Sequence, residues 1–143
     1  MVSKSIVIKA PIQVVYQTIV DFVSYPEFLN DIKNAKVDWC DDKKMDVSFN
    51  LHLIKEIHYT LQIALKPPRE ISWKLKKSDL LKKNDGSWRL KSLDKNLTEA
   101  LYALDVELGL WVPKSITESL MEKTLPATLK AFKKQSEKNF KSI

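Results

Sequence analysis

Few side chains in this sequence can attack a carbonyl, exchange a proton near neutral pH or hold a metal: one cysteine, Cys40, and two histidines, His52 and His58. A reactive thiol needs a nearby base or cation to favour the thiolate. Cys40 has no histidine close in sequence and falls on the outward parity of its strand. The histidines sit in two runs of alternating apolar and polar residues, 45–53 and 57–65. A loop over residues 54–56 keeps apolar residues facing apolar ones, which places Leu53 opposite Ile57 and His52 opposite His58 on the wet face. Two imidazoles with Glu56 close by are donor types that zinc accepts. An exposed polar pair is the far better account of them, and no metal is expected.

The remaining chemistry is hydrogen bonding inside an apolar setting. Tyr59 and Tyr102 fall on inward faces and carry hydroxyls that can donate to a carbonyl or quinone oxygen, while Thr124 and Thr128 share a face of the last helix. Aspartate and glutamate fall overwhelmingly on outward positions. The inward faces therefore lack the paired acids and bases that proton-transfer catalysis requires, and the sequence leans away from an enzyme. Outside, Lys74 and Lys76 share the wet face of one strand and Arg89 and Lys91 that of the next. If the two strands pair, the four cations form one convex patch able to touch phosphates of an anionic membrane or of ribosomal RNA. Arg89 is expected opposite Glu99, as an ordinary exposed ion pair.

These side chains are positioned by a simple order of elements. Ile6 and Ile8 mark a first strand, and Ile12, Val15, Tyr16, Ile19 and Val20 a helix after Pro11. Ser24 is a candidate N-cap for a second short helix over residues 24–29, with Glu27 three residues on. The period then changes to two. Alternations centred on Ala35, Val47, Leu61, Trp73, Trp88 and Tyr102 predict six more strands, with turns at Asp41-Asp42, Pro67-Pro68, Asn84-Asp85-Gly86 and 94–96. One wet face per strand means an antiparallel meander. Beyond Gly109 a helical stripe runs through Ile116, Leu120, Met121, Leu125, Leu129 and Phe132, with Pro126 expected to kink it. Only this last helix can cover the dry face of the sheet, and a bent sheet round one helix leaves a gap suited to an apolar ligand. Trp73 is expected mid-sheet on the concave face, Trp88 nearer a rim beside the Gly86 turn, Trp39 inward on its own strand, and Trp111 in the loop before the helix.

Composition bounds the alternatives. The 143 residues fit one domain, 1–143, with a core large enough to need no disulfide. Two glycines, Gly86 and Gly109, cannot build a phosphate-cradling loop. No apolar run is long enough to span a membrane. The start of the chain is not a secretory signal, and with a lone thiol this gives cytoplasm as the expected location. The net charge of +6 suits acidic partners such as nucleic acid or anionic lipid, but a lysine-rich solubilising surface is the more economical account of it.

Three segments carry a resemblance. Residues 6–29, IVIKAPIQVVYQTIVDFVSYPEFL, resemble the opening of the START-like (SRPBCC) superfamily, in particular its polyketide cyclase and coenzyme Q-binding branch. GSWRL at 86–90 resembles that branch's strand motif before the last hairpin, and LDVELGLWVPK with LPATLKAF its final strand and kinked helix. Asn30, Asp31 and Ile32 stand where quinone-binding members and the related ribosome association toxins continue with proline, tryptophan and cysteine. The resemblance implies an α+β helix-grip fold, a curved antiparallel sheet of about seven strands round a long C-terminal helix, with two short N-terminal helices. It also implies a carrier or sensor of a lipid, isoprenoid quinone or polyketide-like molecule. A polyketide cyclase or aromatase and a ribosome-binding module using the basic face are the alternatives. The residues expected to line the ligand site are Phe28, Phe49, Leu51, Tyr59, Ile63, Trp73, Leu75, Trp88, Tyr102, Leu104, Leu120, Thr124 and Thr128. No cofactor and no DNA partner are expected.

Overall fold

The computed structural model describes residues 2–52, 55–109 and 113–143; the side chains of Leu120 and Met121 are outside that description, as are Leu53, Ile54 and Trp111. Strand β1 (Val2–Ile8) leads into helix α1 (Ile12–Val20), a 3₁₀ turn (Phe22–Ser24) and the short helix α2 (Tyr25–Phe28). Six strands follow: β2 (Ile32–Cys40), β3 (Lys44–His52), β4 (Glu56–Lys66), β5 (Glu70–Ser78), β6 (Leu81–Asp94) and β7 (Leu97–Leu108). The chain closes with α3 (Lys114–Ser119), a π-helical turn (Leu120–Thr124) and the long helix α4 (Leu125–Lys141). All seven strands form one antiparallel sheet in the order β1-β7-β6-β5-β4-β3-β2. This is the helix-grip architecture, and the alternation of residue types is its cause. Val47, Phe49, Leu61, Ile63, Ile71, Trp88, Leu90 and Ala100 are buried on the dry face, which α1 and α4 help to cover. Burying each large side chain of this kind stabilises by about 1.5–3 kcal/mol.

On α4, Leu125, Leu129, Phe132 and Ser136 are buried at spacings of four, three and four, the inner stripe of an amphipathic helix. Pro126 lies in its first turn. Without an N–H, Pro126 cannot continue the hydrogen-bond ladder, and the helix passes from the widened π turn into α4 at this point. Ser24 occupies the N-cap position of α2 but makes no side-chain cap bond, because the 3₁₀ turn already gives it a helical backbone.

Several sequence-based placements shift. Asn84-Asp85-Gly86 is not a turn: β6 runs straight through it, with Gly86 paired to Trp73 on one side and Leu104 on the other. The reversal lies at the β5–β6 junction instead, where Ser78 Oγ accepts from the backbone N–H groups of Leu80 (3.2 Å) and Leu81 (3.0 Å). Trp88 is consequently deep, 2 % exposed, rather than at a rim. The β3–β4 hairpin pairs His52 with Glu56, Asn50 with His58 and Leu51 with Ile57, so the histidines do not face one another. The parity was kept, but the strands pair one residue further back on each side. In β2, a bulge between Val37 and Trp39 sets Trp39 opposite Asp46 on the convex face, 51 % exposed. Among the described residues, no helix is long and apolar enough to cross a membrane.

Candidate functional site

A cavity of about 330 Å³ lies between the concave face and α4. Its sheet wall comes from Phe49 and Leu51 on β3, Tyr59, Leu61 and Ile63 on β4, Ile71 and Trp73 on β5, Leu81, Asn84 and Trp88 on β6, and Tyr102, Leu104 and Val106 on β7. The helical wall is Thr124, Leu125, Ala127, Thr128, Ala131 and Phe132. Here the sequence leaves the gap: four positions on the covering helix carry Thr or Ala, opposite a sheet that carries Trp and Tyr. Short side chains at 124, 127, 128 and 131 stop the helix from filling the hollow that the sheet curvature makes. Ile19 of α1, with Phe22, Tyr25, Phe28, Leu29, Asn30, Asp31 and Ile32 from the segment that joins α1 to β2, completes the lining.

An aromatic network holds these walls. The Phe132 ring lies 5.2 Å from each of Tyr25, Phe28 and Trp88, tying α4 to α2 and to β6. Tyr102 lies 4.6 Å from Trp88 and 5.7 Å from Trp73, and Tyr59 stacks on Phe49 at 5.3 Å. Edge-on and tilted geometries of this kind add to the stabilisation that burial alone gives.

Of the thirteen residues expected to line a site, the structure brings eleven to the cavity: Phe28, Phe49, Leu51, Tyr59, Ile63, Trp73, Trp88, Tyr102, Leu104, Thr124 and Thr128. Leu75 is placed apart from these. It packs at the margin of the core and does not line the cavity, because β5–β6 pairing stops at Trp73–Gly86 and Leu75 lies beyond it. Leu120 is the thirteenth, and its side chain is outside the description. Sequence reasoning missed the segment 29–32, the small residues Ala127 and Ala131, and above all Asn84. Parity carried back from Leu90 through Trp88 and Gly86 would have put Asn84 inside; the turn signal overrode it.

The titratable groups of the described lining are three phenols and one carboxylate. Burial pushes the phenols of Tyr59 and Tyr102 well above their ordinary range, and for Tyr59 the nearby Tyr102 adds to this. Tyr25 is raised by burial, then by Tyr102, Tyr59 and Asp21, and its hydroxyl donates to the Ile19 carbonyl. All three remain neutral donors throughout the physiological range. Thr128 Oγ1 donates to the Thr124 carbonyl at 2.8 Å, so that hydroxyl is engaged by its own helix. Asp31, half-buried, is the one carboxylate among the described lining residues, and none of those residues is a histidine or cysteine.

The outer cations are more scattered than their strand parity suggested. Arg89 lies opposite Glu70 and Leu101, not Glu99, and Arg89 Nε is 3.3 Å from Glu70 Oε1. Glu99 faces Lys91. Lys76 Nζ is 2.5 Å from Asp46 Oδ2, and Lys74 faces Gln62. Lys74 and Lys76 lie beyond the end of β5–β6 pairing, so the four cations do not gather into one patch.

Residues 8–133 match the family described as polyketide cyclase/dehydrase and lipid transport. No curated protein sequence matches the chain at a significant level. Among solved structures, the Zhui aromatase/cyclase from Streptomyces sp. R1128 superposes with a TM-score of 0.85 at 16% identity, over 96% of this chain and 93% of that one. A START superfamily protein from Mycobacterium smegmatis gives 0.82 at 21%, over 96% and 97%. A STAR-related lipid transfer protein from Xanthomonas axonopodis gives 0.73 at 13%, over 94% and 84%. At these identities the likeness is one of fold.

Proposed function

Because the chain belongs to the polyketide cyclase/dehydrase and lipid transport family, we propose that it binds one uncharged, largely apolar small molecule between sheet and α4, as a carrier or sensor. The observation that carries this reading is the cavity of about 330 Å³, walled by aromatic and aliphatic side chains with neutral donors among them. Its size is at the lower end of ordinary small-molecule sites. A guest burying about 300 Å² of apolar surface gains roughly 7 kcal/mol before association costs, enough for micromolar binding when the walls are already in place.

A cyclase is the other activity the family name carries. Moving protons along a polyketone requires an acid and a base against the ligand, and the described lining offers Asp31 as its one carboxylate beside phenols held neutral. That balance favours binding. The ribosome or membrane alternative would rest on Lys74, Lys76, Arg89 and Lys91, of which Lys76 and Arg89 are already paired. The exposed thiol of Cys40 suits a reducing compartment, and the cytoplasm is the location this reading assigns.

Titration with a short-chain quinone, followed by tryptophan emission, tests the proposal. Trp73 and Trp88 line the cavity and Trp39 does not. Saturable quenching is expected in the wild type and clearly less in Trp73→Phe. If neither quinones nor long-chain or polycyclic probes saturate the wild-type protein, the binding reading falls.

A further inference from the structure

Trp73 Nε1 donates to Asn84 Oδ1 at 3.1 Å. An indole N–H can only donate, so the atom it faces must be the carboxamide oxygen, and this fixes which way the amide is turned. Asn84 Nδ2, with two hydrogens, is therefore directed away from the indole. Asn84 is 9% exposed and lines the cavity, next to Val106 across the β6–β7 ladder. Among the described residues, none accepts a hydrogen bond from Nδ2. The arrangement is built at a cost elsewhere. Gly86, two residues along, has no Cβ where one would lie 2.4 Å from Trp73 Cζ2, and this is what lets the indole lie across β6 and reach Asn84.

Resting on the binding reading above, we infer that Asn84 is the specificity-determining donor of the cavity, presenting its amide hydrogens to an uncharged carbonyl oxygen on the guest, with Trp73 as the residue that positions it. A hydrocarbon of the same shape leaves those hydrogens unpaired. A carbonyl compound pairs them without bringing charge into an apolar wall.

The test uses two probes of matched shape, 2-acetylnaphthalene and 2-isopropenylnaphthalene, which differ in having C=O or C=CH₂. Their affinity ratio is measured in the wild type, Asn84→Leu, Asn84→Asp, Trp73→Phe and Tyr102→Phe. Asn84→Asp, assayed at a pH above the titration of its carboxyl, keeps the shape and the acceptor for Trp73 but removes the donor, and it serves if Asn84→Leu does not fold. The ratio favouring the ketone should fall about tenfold in both Asn84 variants, and by a smaller factor in Trp73→Phe, where the amide is no longer clamped. The carbonyl stretch of bound 2-acetylnaphthalene should lie below its value in an apolar solvent, and return to it in Asn84→Asp. An unchanged ratio in the Asn84 variants, loss of it in Tyr102→Phe instead, or an unshifted carbonyl band in the wild type overturns the inference and leaves the cavity reading standing. Failure of both probes to saturate the wild type removes the two together.

Discussion

A methyl group added at Gly86 would lie 2.4 Å from Trp73 Cζ2 and 2.7 Å from the Ala103 carbonyl oxygen. The first neighbour is a side chain that could swing aside; the second is backbone of the adjacent strand and cannot move without bending the ladder. Gly86→Ala is therefore expected to destabilise by about 2 kcal/mol or more, in the range of an overpacked core, as read from urea denaturation. In a Trp73→Leu background the penalty should shrink without vanishing, since the Ala103 contact persists. An equal penalty in both backgrounds would show that the indole does not press on this position. The same residue explains why Asn84 escaped notice. Asn-Asp-Gly is a frequent turn sequence, and glycine's usual role there is conformational freedom. Here glycine is needed for room, in mid-strand, because a tryptophan lies over it. Nothing local in the sequence distinguishes these two needs; the pairing of Gly86 with Trp73 does.

Helix α4 is held to the first strand by a charged latch as well as by its apolar stripe. Glu137 Oε2 accepts from the Lys9 backbone N–H at 2.9 Å and from Lys133 Nζ at 2.5 Å, and Lys133 Nζ also donates to the Val7 carbonyl at 3.0 Å. Burial tends to raise the Glu137 carboxyl, but the Lys133 and Lys9 hydrogen bonds outweigh it and hold the group below its ordinary range. A depressed folded-state pKa stabilises above the unfolded value of about 4.3, and that stabilisation fades as pH falls through the folded value. Glu137→Gln should thus cost about 1 kcal/mol at pH 7, and the difference from wild type should narrow progressively below about pH 4. A gap that persists undiminished into that acid range would mean that the carboxylate charge is not what holds the latch. Element boundaries of this kind were largely legible: the period change at Ile32, the return to helical spacing after Gly109 and the reversals at Asp41 and 94–96 all follow from residue types. Strand register was legible only to within parity. Apolar faces fix which side each residue takes, so the His52–Glu56 pairing and the expected His52–His58 pairing look alike to the pattern. The bulge that turns Trp39 outward breaks the alternation without any glycine or proline to announce it.

The whole molecule trades stability for an interior hollow. The sheet contributes large side chains at Trp73, Trp88, Tyr59 and Tyr102, and the helix answers with Thr124, Ala127, Thr128 and Ala131. A core selected only for stability would carry leucine or phenylalanine at such helix positions, because unfilled volume costs about 24 cal/mol per Å³. The hollow was legible as a consequence of topology, a bent sheet that one helix must cover, but its volume and polar points were not. Both depend on how side chains from five strands meet, and that needs the register the pattern leaves open. The trade gives a direct test of whether the cavity is there for a guest. Ala131→Leu adds three carbons to the helical wall, worth about 0.8 kcal/mol each if they enter free space. The variant should be about 1–2 kcal/mol more stable than wild type in urea, and should bind an apolar probe at least tenfold more weakly, since the same volume cannot be occupied twice. Stability and affinity moving in opposite directions would mark the cavity as space kept open against the folding energy. Loss of stability, with probe binding unchanged, would mean that position 131 has no free volume before it and that the binding site, if the protein has one, is elsewhere.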